Sequence, residues 1–185
     1  VASTIPKNRG MDQVKLGVEE PQEEEMAIGN LNPICYYNVF YYPREMKHHF
    51  DRAIFLENTT EEERSDFQGA YVKLLKKLSI AGKDERLLLK NPASTARLHL
   101  LNEWFPGSGF LYIVRNPFEV FASMLHHYPR VFNAFAWQSF EDIDLEDIVF
   151  YKYERLMRGY LEQRSLVGDR LVETSYEKVV EDPVG

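Results

Sequence analysis

The segment LYIVRNPFEVFASMLHH, from Leu111 to His127, places a cationic side chain and a hydroxyl at a spacing that suits anion binding. A short apolar run ends at Arg115, an Asn-Pro pair interrupts it, and an amphipathic pattern follows with Ser123 in its second turn. This order predicts a strand, a turn and a helix, the α/β unit in which ligands lie beyond the carboxyl ends of the strands. Arg115 offers a planar fork of donors that suits phosphate, and the helix N-terminus adds N–H groups and a positive dipole end. We therefore predict a phosphate-binding corner here.

Simpler interpretations exist for the cations of this region. Arg115 could pair with Glu119 one helical turn later, while Ser123 only covers a helix face. Lys90 follows an apolar run at 87–89 that predicts a short buried strand, so it would open on the same sheet edge as Arg115. A cation there would stabilise negative charge on the leaving oxygen of a group transfer. The alternative for Lys90 is a solvated lysine at a strand end.

The composition limits the class of protein. The chain has 185 residues, of which 44% are hydrophobic and 28% charged, values that suit one soluble globular domain. Its net charge of −7 and pI of about 5.3 give no chain-wide basic field that would favour nucleic acid. The single cysteine, Cys35, excludes an intramolecular disulfide and a cysteine-rich zinc site, and it suits a reducing compartment. No apolar run approaches the roughly 20 residues of a membrane span, so we expect a cytoplasmic protein, with the lumenal part of a longer protein as the alternative. No set of ligands with zinc spacing occurs in the sequence, so we expect no metal.

Strand and helix patterns alternate along the chain. We predict strands at 87–89, 110–114 and 170–174, and helices at 23–28, 61–79, 95–105, 118–127, 144–164 and 177–181. Thr59 or Thr60, followed by three glutamates, is typical of a helix start, and Gly82 follows the end of that helix. The aromatic residues from Tyr36 to Tyr42 predict core packing rather than the lining of a pocket. This alternation predicts an α/β fold with a mainly parallel sheet and helices on both of its faces.

Four segments carry a resemblance to a known family. The Arg–seven residues–Ser spacing after the predicted strand resembles the 3′-phosphate-binding segment of the sulfotransferases that use 3′-phosphoadenosine-5′-phosphosulfate (PAPS). The segment LLLKNPASTARLHLLNEWFPGSGFLYIVRNP resembles the block LLLKSP…TARI…LLELFP…F…I.R.P of a bacterial-type branch of that family. LVETSYEKVVEDPVG resembles its YEDLV.DP.G segment, and NRGMDQVKLGVEEPQEEEMAI resembles its R..D…G…PQEDE.A segment. The four segments follow the family's order and cover most of the chain.

The resemblance implies a P-loop-NTPase-like sulfotransferase core in one domain, with a loop-rich acceptor-side region at 1–50 and an α/β core at 51–185. It implies transfer of a sulfuryl group from PAPS to a hydroxyl or amine of a small-molecule or glycan acceptor, without a metal. In that scheme Lys90 assists near the transferred group. Arg9 and Asp12 match the N-terminal segment and would shape the acceptor pocket.

The resemblance also implies how the nucleotide is held. Arg115 and Ser123 would bind the 3′-phosphate, and the ring of Tyr176 would contact adenine. The alternative for Tyr176 is a tyrosine at the edge of the core.

The catalytic base is the part of the scheme that the resemblance does not supply. Well-known members of the family have a histidine a few residues after the lysine, whereas the residues from Asn91 to Thr95 include none. A carboxylate with a raised pKa can accept a hydroxyl proton, so Glu23 or Glu25 is our first choice and His99 our second. The simpler interpretations are a solvated helix start for the three adjacent glutamates and a structural role for the histidine.

The family's phosphosulfate-binding loop, expected near its N-terminus, is not found in the sequence, and neither is a Walker-type GxxxxGK[ST] segment. The chain has no initiator methionine and stops at Gly185 just after a helix-like run. We therefore expect both ends to be truncated and this piece alone to be inactive. The alternative functions are a small-molecule kinase on a related fold and a non-catalytic nucleotide-binding homologue.

Overall fold

The computed structural model describes residue 17 and residues 22–82 and 86–182. The helices in these ranges are α1 (Glu24–Ile28), α2 (Asn38–Tyr41), α3 (Met46–Phe55), α4 (Glu61–Ala81), α5 (Leu98–Trp104), α6 (Pro117–Phe135), α7 (Leu145–Gln163) and α8 (Tyr176–Glu181). The strands are β1 (Phe110–Val114) and β2 (Leu171–Ser175), and 3₁₀ turns occur at Pro43–Glu45, Pro92–Ala96, Arg164–Leu166 and Gly168–Arg170. The described part of the chain is therefore helix-rich, with a small sheet.

Helix α4 begins where its sequence predicts. The Thr60 side chain accepts a hydrogen bond from the Glu63 N–H (3.2 Å), and the Glu63 carboxylate accepts one from the Thr60 N–H (2.8 Å). This reciprocal capping box satisfies two backbone donors that a helix start otherwise leaves unpaired. The helix extends two residues past the predicted end at 79, and Gly82 follows it. The other predicted helices at 23–28, 144–164 and 177–181 are confirmed to within one residue at each end.

The two strands are parallel and in register over their whole length, so that Val114 lies opposite Ser175 in the last pair. Strand β1 has the predicted bounds, and β2 is shifted by one residue from the predicted 170–174. Because parallel strands end at the same sheet edge, the residues that follow, Arg115 and Tyr176, leave the sheet side by side.

One face of this sheet is packed and the other is open. On the packed face, the Tyr112 ring stacks on Tyr160 of α7, with ring centroids 4.0 Å apart. On the opposite face, Leu111, Ile113 and Val172 are exposed. Helices on both faces were predicted, and the described residues supply them on one face only.

The predicted strand at 87–89 is wrong. Residues 86–90 have no regular secondary structure, and the Leu88 side chain is 92% exposed. An apolar run can predict burial, but a strand also needs a neighbour that pairs with its N–H and C=O groups. The described part of the chain gives this segment no such neighbour, so its sheet has two strands rather than three.

Two helix boundaries differ from the prediction at a proline. The helix predicted from 95 begins at Leu98, because a 3₁₀ turn that starts at Pro92 precedes it. The Asn91 side chain caps this turn by accepting a hydrogen bond from the Ala93 N–H. The helix predicted to end at 127 runs to Phe135 and passes through Pro129. Proline removes a helical hydrogen bond, but the second half of α6 carries buried side chains that hold it in place.

Among the described residues, the core consists of three clusters of buried side chains. The first joins α2, α3, α6, α7 and the turn at Pro92–Ala96, and the second joins α1, α3, α4 and α5. The third lies beneath the sheet around Tyr160. From the predicted aromatic run, Tyr36 and Phe40 pack against the first cluster, which confirms core packing for these two residues.

Residues 22–50 hold α1, α2 and the start of α3, more helix than a loop-rich region implies, and the division of the domain at position 50 stays a prediction. None of the helices in the described ranges combines the length and the apolar character that crossing a bilayer requires. Within those same ranges, no group of three or more His, Cys, Asp or Glu side chains is placed to hold a metal ion.

Candidate functional site

Arg115 and Tyr176 lie together beyond the ends of the two strands, and we call these two residues with the start of α6 the arginine corner. The Arg115 guanidinium carbon is 4.6 Å from the centre of the Tyr176 ring, a distance at which a cation is attracted to a ring face. Each of the two side chains is 43% exposed. The corner therefore presents a cation and an aromatic ring that a ligand can reach from solvent.

Helix α6 begins at this corner. The Asn116 side chain accepts a hydrogen bond from the Phe118 N–H (3.0 Å) and caps the helix. Arg115 Nε lies 3.6 Å from Glu119 Oε2, so the competing ion pair is present. Ser123 is exposed one turn beyond Glu119 on the same helix face, and none of the described contacts joins it to Arg115.

Glu25 lies at the centre of a second polar group, the carboxylate cluster, which consists of Glu24, Glu25, Asn91 and Arg97. The Glu25 side chain is fully buried and forms a bidentate pair with Arg97, with Oε2–Nη1 and Oε1–Nη2 distances of 2.8 and 3.0 Å. The Tyr36 N–H donates to Oε1 (2.7 Å) and Asn91 Nδ2 donates to Oε2 (2.9 Å). Burial raises the pKa of Glu25, but the Arg97 charge and these hydrogen bonds outweigh burial and lower it below its ordinary value.

Arg97 is a residue that the sequence reasoning missed. Its side chain is 1% exposed, and its Nε and Nη2 also donate to the Ala53 carbonyl oxygen (3.0 and 2.7 Å). The guanidinium lies 5.4 Å from the centre of the Phe67 ring. Its apolar neighbours in the sequence, Ala96 and Leu98, were the available signal of a buried position. An arginine so fully engaged holds the 3₁₀ turn, α1 and α3 together.

Glu24 is also buried, at 5% exposed. It accepts hydrogen bonds from the Tyr71 hydroxyl (2.8 Å) and from Asn91 Nδ2 (3.1 Å). Burial, followed by the charge of Glu24, raises the pKa of Tyr71 well above its ordinary value, so this hydroxyl remains a donor. The interpretation of the three glutamates as a solvated helix start is therefore wrong for Glu24 and Glu25.

Glu23 and Lys90 form an ion pair at the edge of the carboxylate cluster. The Lys90 side chain is 79% exposed and that of Glu23 is 21% exposed. The Tyr37 hydroxyl donates to the second Glu23 oxygen (3.2 Å). Lys90 was expected at a strand end on the sheet edge of Arg115, and it follows an irregular segment instead. Its neighbour Asn91 anchors the backbone beside it to the carboxylate cluster.

His99 contacts the end of α7. Its Nδ1 lies 3.0 Å from Gln163 Oε1, and the same oxygen accepts the His99 N–H (3.0 Å). Among the described contacts none links this ring to Lys90. The predicted acceptor-side residues Arg9 and Asp12 lie outside the described residues.

Comparisons with known proteins agree with the segments that carry the resemblance. A model of the sulfotransferase family matches residues 7–185. Two relatives, from Mycobacterium bovis and Mycobacterium tuberculosis, are each named omega-hydroxy-beta-dihydromenaquinone-9 sulfotransferase and are 27% identical to this chain over 182 residues. The match covers 98% of this chain and 46% of each relative, so the chain spans about half of their length. No solved structure matches it. With nearly all of its residues matched by the family model, the chain belongs to the sulfotransferase family.

Proposed function

We propose that the protein transfers a sulfuryl group from PAPS to the hydroxyl or amine of a small-molecule acceptor. The observation that carries this proposal is the arginine corner, where the Arg115 guanidinium and the Tyr176 ring lie 4.6 Å apart and open to solvent. A guanidinium suits the planar, bidentate recognition of phosphate, and a tyrosine ring offers its face to a nucleobase. A nucleotide with a phosphate on its ribose presents both of these groups at once.

Phosphate binding at this corner requires Arg115 to exchange Glu119 for the ligand. The Arg115–Glu119 pair is exposed, and such pairs contribute about 0.2–1 kcal/mol. A hydrogen bond to a charged group contributes about 1.5–3 kcal/mol, so the exchange favours the phosphate. Ser123 and the N-terminal end of α6 would add further donors on the same side.

We assign each member of the Lys90–Glu23 pair a role in the transfer of the sulfuryl group. The acceptor oxygen attacks sulfur in line, the bond from sulfur to the bridging phosphate oxygen breaks, and adenosine 3′,5′-bisphosphate leaves. The Lys90 ammonium would stabilise the negative charge that develops on the bridging oxygen. The Glu23 carboxylate would take the proton of the acceptor hydroxyl.

Glu23 suits the role of base better than the other predicted candidates. Glu25 is fully buried and its pKa is lowered, so we assign it to holding Arg97. The ring of His99 is engaged with Gln163. Glu23, in contrast, is partly open and directly contacts Lys90.

The acceptor that we propose is apolar around its hydroxyl. The relatives are named for a menaquinone with an omega-hydroxy group. In this chain, exposed apolar side chains flank both members of the ion pair in the sequence, with Leu88 before Lys90 and Met26 after Glu23. A lipid-like alcohol would cover these side chains while its hydroxyl reaches Glu23.

The first test is calorimetric binding of adenosine 3′,5′-bisphosphate and 5′-AMP to the full-length protein. We expect the bisphosphate to bind more tightly, and Arg115→Ala to weaken it by about 10- to 100-fold, the equivalent of a lost charged hydrogen bond. Arg158→Ala is the matched control, because Arg158 also pairs with a glutamate one turn away on an exposed helix face. Equal or absent binding of the two nucleotides would overturn the proposal and favour the kinase or the non-catalytic homologue.

A second test separates catalysis from nucleotide binding. Lys90→Ala should lower kcat for sulfuryl transfer by about 100- to 1000-fold, the usual loss for a group that stabilises transition-state charge. Its affinity for the bisphosphate should change much less than that of Arg115→Ala. Unchanged kcat in Lys90→Ala would remove Lys90 from the mechanism.

A further inference from the structure

Lys152 of α7 is a buried lysine in an aromatic cage, and the proposed transfer step does not use it. The residue is 4% exposed, and its Nζ donates to the hydroxyls of Tyr36 (3.0 Å) and Tyr128 (2.6 Å). The same nitrogen lies 4.9 Å from the ring centres of both tyrosines, 5.4 Å from that of Phe50 and 5.9 Å from that of Phe40. Within the described residues, no carboxylate forms an ion pair with it.

A lysine in these surroundings costs stability. Burial lowers the pKa of Lys152 to about 7, because an ammonium loses its hydration in the cage. The ring faces and the two hydroxyls offset part of this loss. A methionine would fill a similar volume without burying a polar group. The position therefore holds a side chain that packing alone does not favour, and perturbed groups of this kind are enriched at functional sites.

The contacts of Tyr36 lead from the cage to the proposed base. Its hydroxyl accepts from Lys152, while its backbone N–H donates to Glu25 Oε1 (2.7 Å). The next residue, Tyr37, donates its hydroxyl to Glu23 Oε2 (3.2 Å). The Tyr36–Tyr37 segment thus joins the Lys152 cage on one side to Glu25 of α1, and to Glu23 just before that helix, on the other.

We infer that Lys152 is a positioning residue: by holding the ring of Tyr36, it holds the Tyr36–Tyr37 segment that orients Glu23 toward Lys90. The role of Glu23 as base rests on the proposed function, whereas the physical coupling of Lys152 to Glu23 does not depend on it. As an ammonium, Lys152 donates to both phenols at once. As an amine, it has one donor fewer and a lone pair that can accept from a phenol, so the hydrogen bonds of the cage change.

Few groups near the cage titrate close to neutrality. The ionisable groups that face Lys152 are Tyr36, which precedes α2, and Tyr128 of α6, and burial raises the pKa of both. Helices α2 and α3 contribute the rings of Phe40 and Phe50, which do not titrate. The titration of the cage near pH 7 is therefore that of Lys152, and the orienting ammonium form is lost as the pH rises through this value.

The test follows the carboxyl carbon of Glu23 by NMR in full-length protein labelled with 13C-glutamate, with its signal assigned from Glu23→Gln. Over about two pH units on either side of 7, we expect a step in the Glu23 chemical shift near pH 7. The step should disappear in Lys152→Met and in Tyr36→Phe, which removes the connecting hydroxyl. Tyr128→Phe is the matched control, because it removes the other acceptor of Lys152 and should keep the step.

The wild type and the variants Lys152→Met, Tyr36→Phe and Tyr128→Phe are then assayed for sulfuryl transfer across this pH range. We expect kcat of the wild type to fall as the pH rises through 7, and Lys152→Met to lose this limb without losing affinity for adenosine 3′,5′-bisphosphate. A step that persists in both Lys152→Met and Tyr36→Phe, or that the wild type lacks, would overturn the inference. A step with the expected mutant pattern in a protein that binds no bisphosphate would support the coupling and overturn the proposed function.

Discussion

Two arginines of this protein have the same kind of partner in opposite surroundings. Arg97 pairs with Glu25 where the two side chains are 1% and 0% exposed, and every oxygen of that carboxylate is engaged. Arg115 pairs with Glu119 where the two are 43% and 58% exposed, at a distance of 3.6 Å. In the buried pair, four of the five N–H groups of Arg97 bond to Glu25 and Ala53, whereas Arg115 of the exposed pair can exchange its carboxylate for a ligand. Burial and the number of fixed partners, not residue type, separate a structural arginine from a candidate binding arginine.

The largest expected effect is on stability and concerns the buried Arg97–Glu25 pair. Arg97→Gln leaves Glu25 buried without its counter-charge, so the free energy of unfolding should fall by about 3–5 kcal/mol. Arg115→Gln should change it by less than about 1 kcal/mol, because exposed pairs contribute little. Urea denaturation of the two variants measures both values. Similar losses in the two proteins would show that the arginines are not in different surroundings.

The separation along the chain between interacting residues explains which features the sequence predicts. Strand β1 is predicted to the residue because its signals are local: five apolar positions end at Arg115 and an Asn-Pro pair. The capping box at Thr60 is local too, since both of its members lie three residues apart. The Glu25–Arg97 pair joins positions 72 residues apart, and the Lys152–Tyr36 contact joins positions 116 apart. No pattern within a short window contains such pairs.

The predicted strand at 87–89 failed for a related reason. Its apolar character is local, but strand formation depends on a pairing partner elsewhere in the chain. The predicted position of Lys90 at the sheet edge depended on that strand. Without the strand, Lys90 lies beside Glu23 instead. Arg115 and Tyr176, by contrast, lie together because two parallel strands in register bring the residues that follow them side by side.

A smaller effect is expected where α7 packs against the turn that leads into Arg97. A Cβ atom at Gly159 would lie 2.9 Å from both Ala96 Cβ and Phe55 Cε1, closer than carbon atoms approach. Helix propensity alone would make alanine stabilising by about 1 kcal/mol, but this overlap should make Gly159→Ala destabilising by about 1–3 kcal/mol. Gly69→Ala on α4 is the control: its Cβ meets nothing within 4 Å, so it should stabilise by about 0.5–1 kcal/mol. Thermal unfolding gives the sign of each change, and a gain in Gly159→Ala would contradict the close packing beside Arg97.

The smallest expected effect concerns the exposed Arg115–Glu119 pair. Glu119→Gln removes the carboxylate that competes with a ligand for Arg115, and the exposed pair contributes about 0.2–1 kcal/mol. Affinity for adenosine 3′,5′-bisphosphate should therefore rise by less than about fivefold, with an unfolding free energy close to that of the wild type. Glu154→Gln is the control, since it releases Arg158 from the same helical spacing away from the corner. Weaker binding in Glu119→Gln would mean that Glu119 orients Arg115 rather than competing with the ligand for it. The arginine corner would then hold its arginine in a fixed geometry, as the carboxylate cluster does.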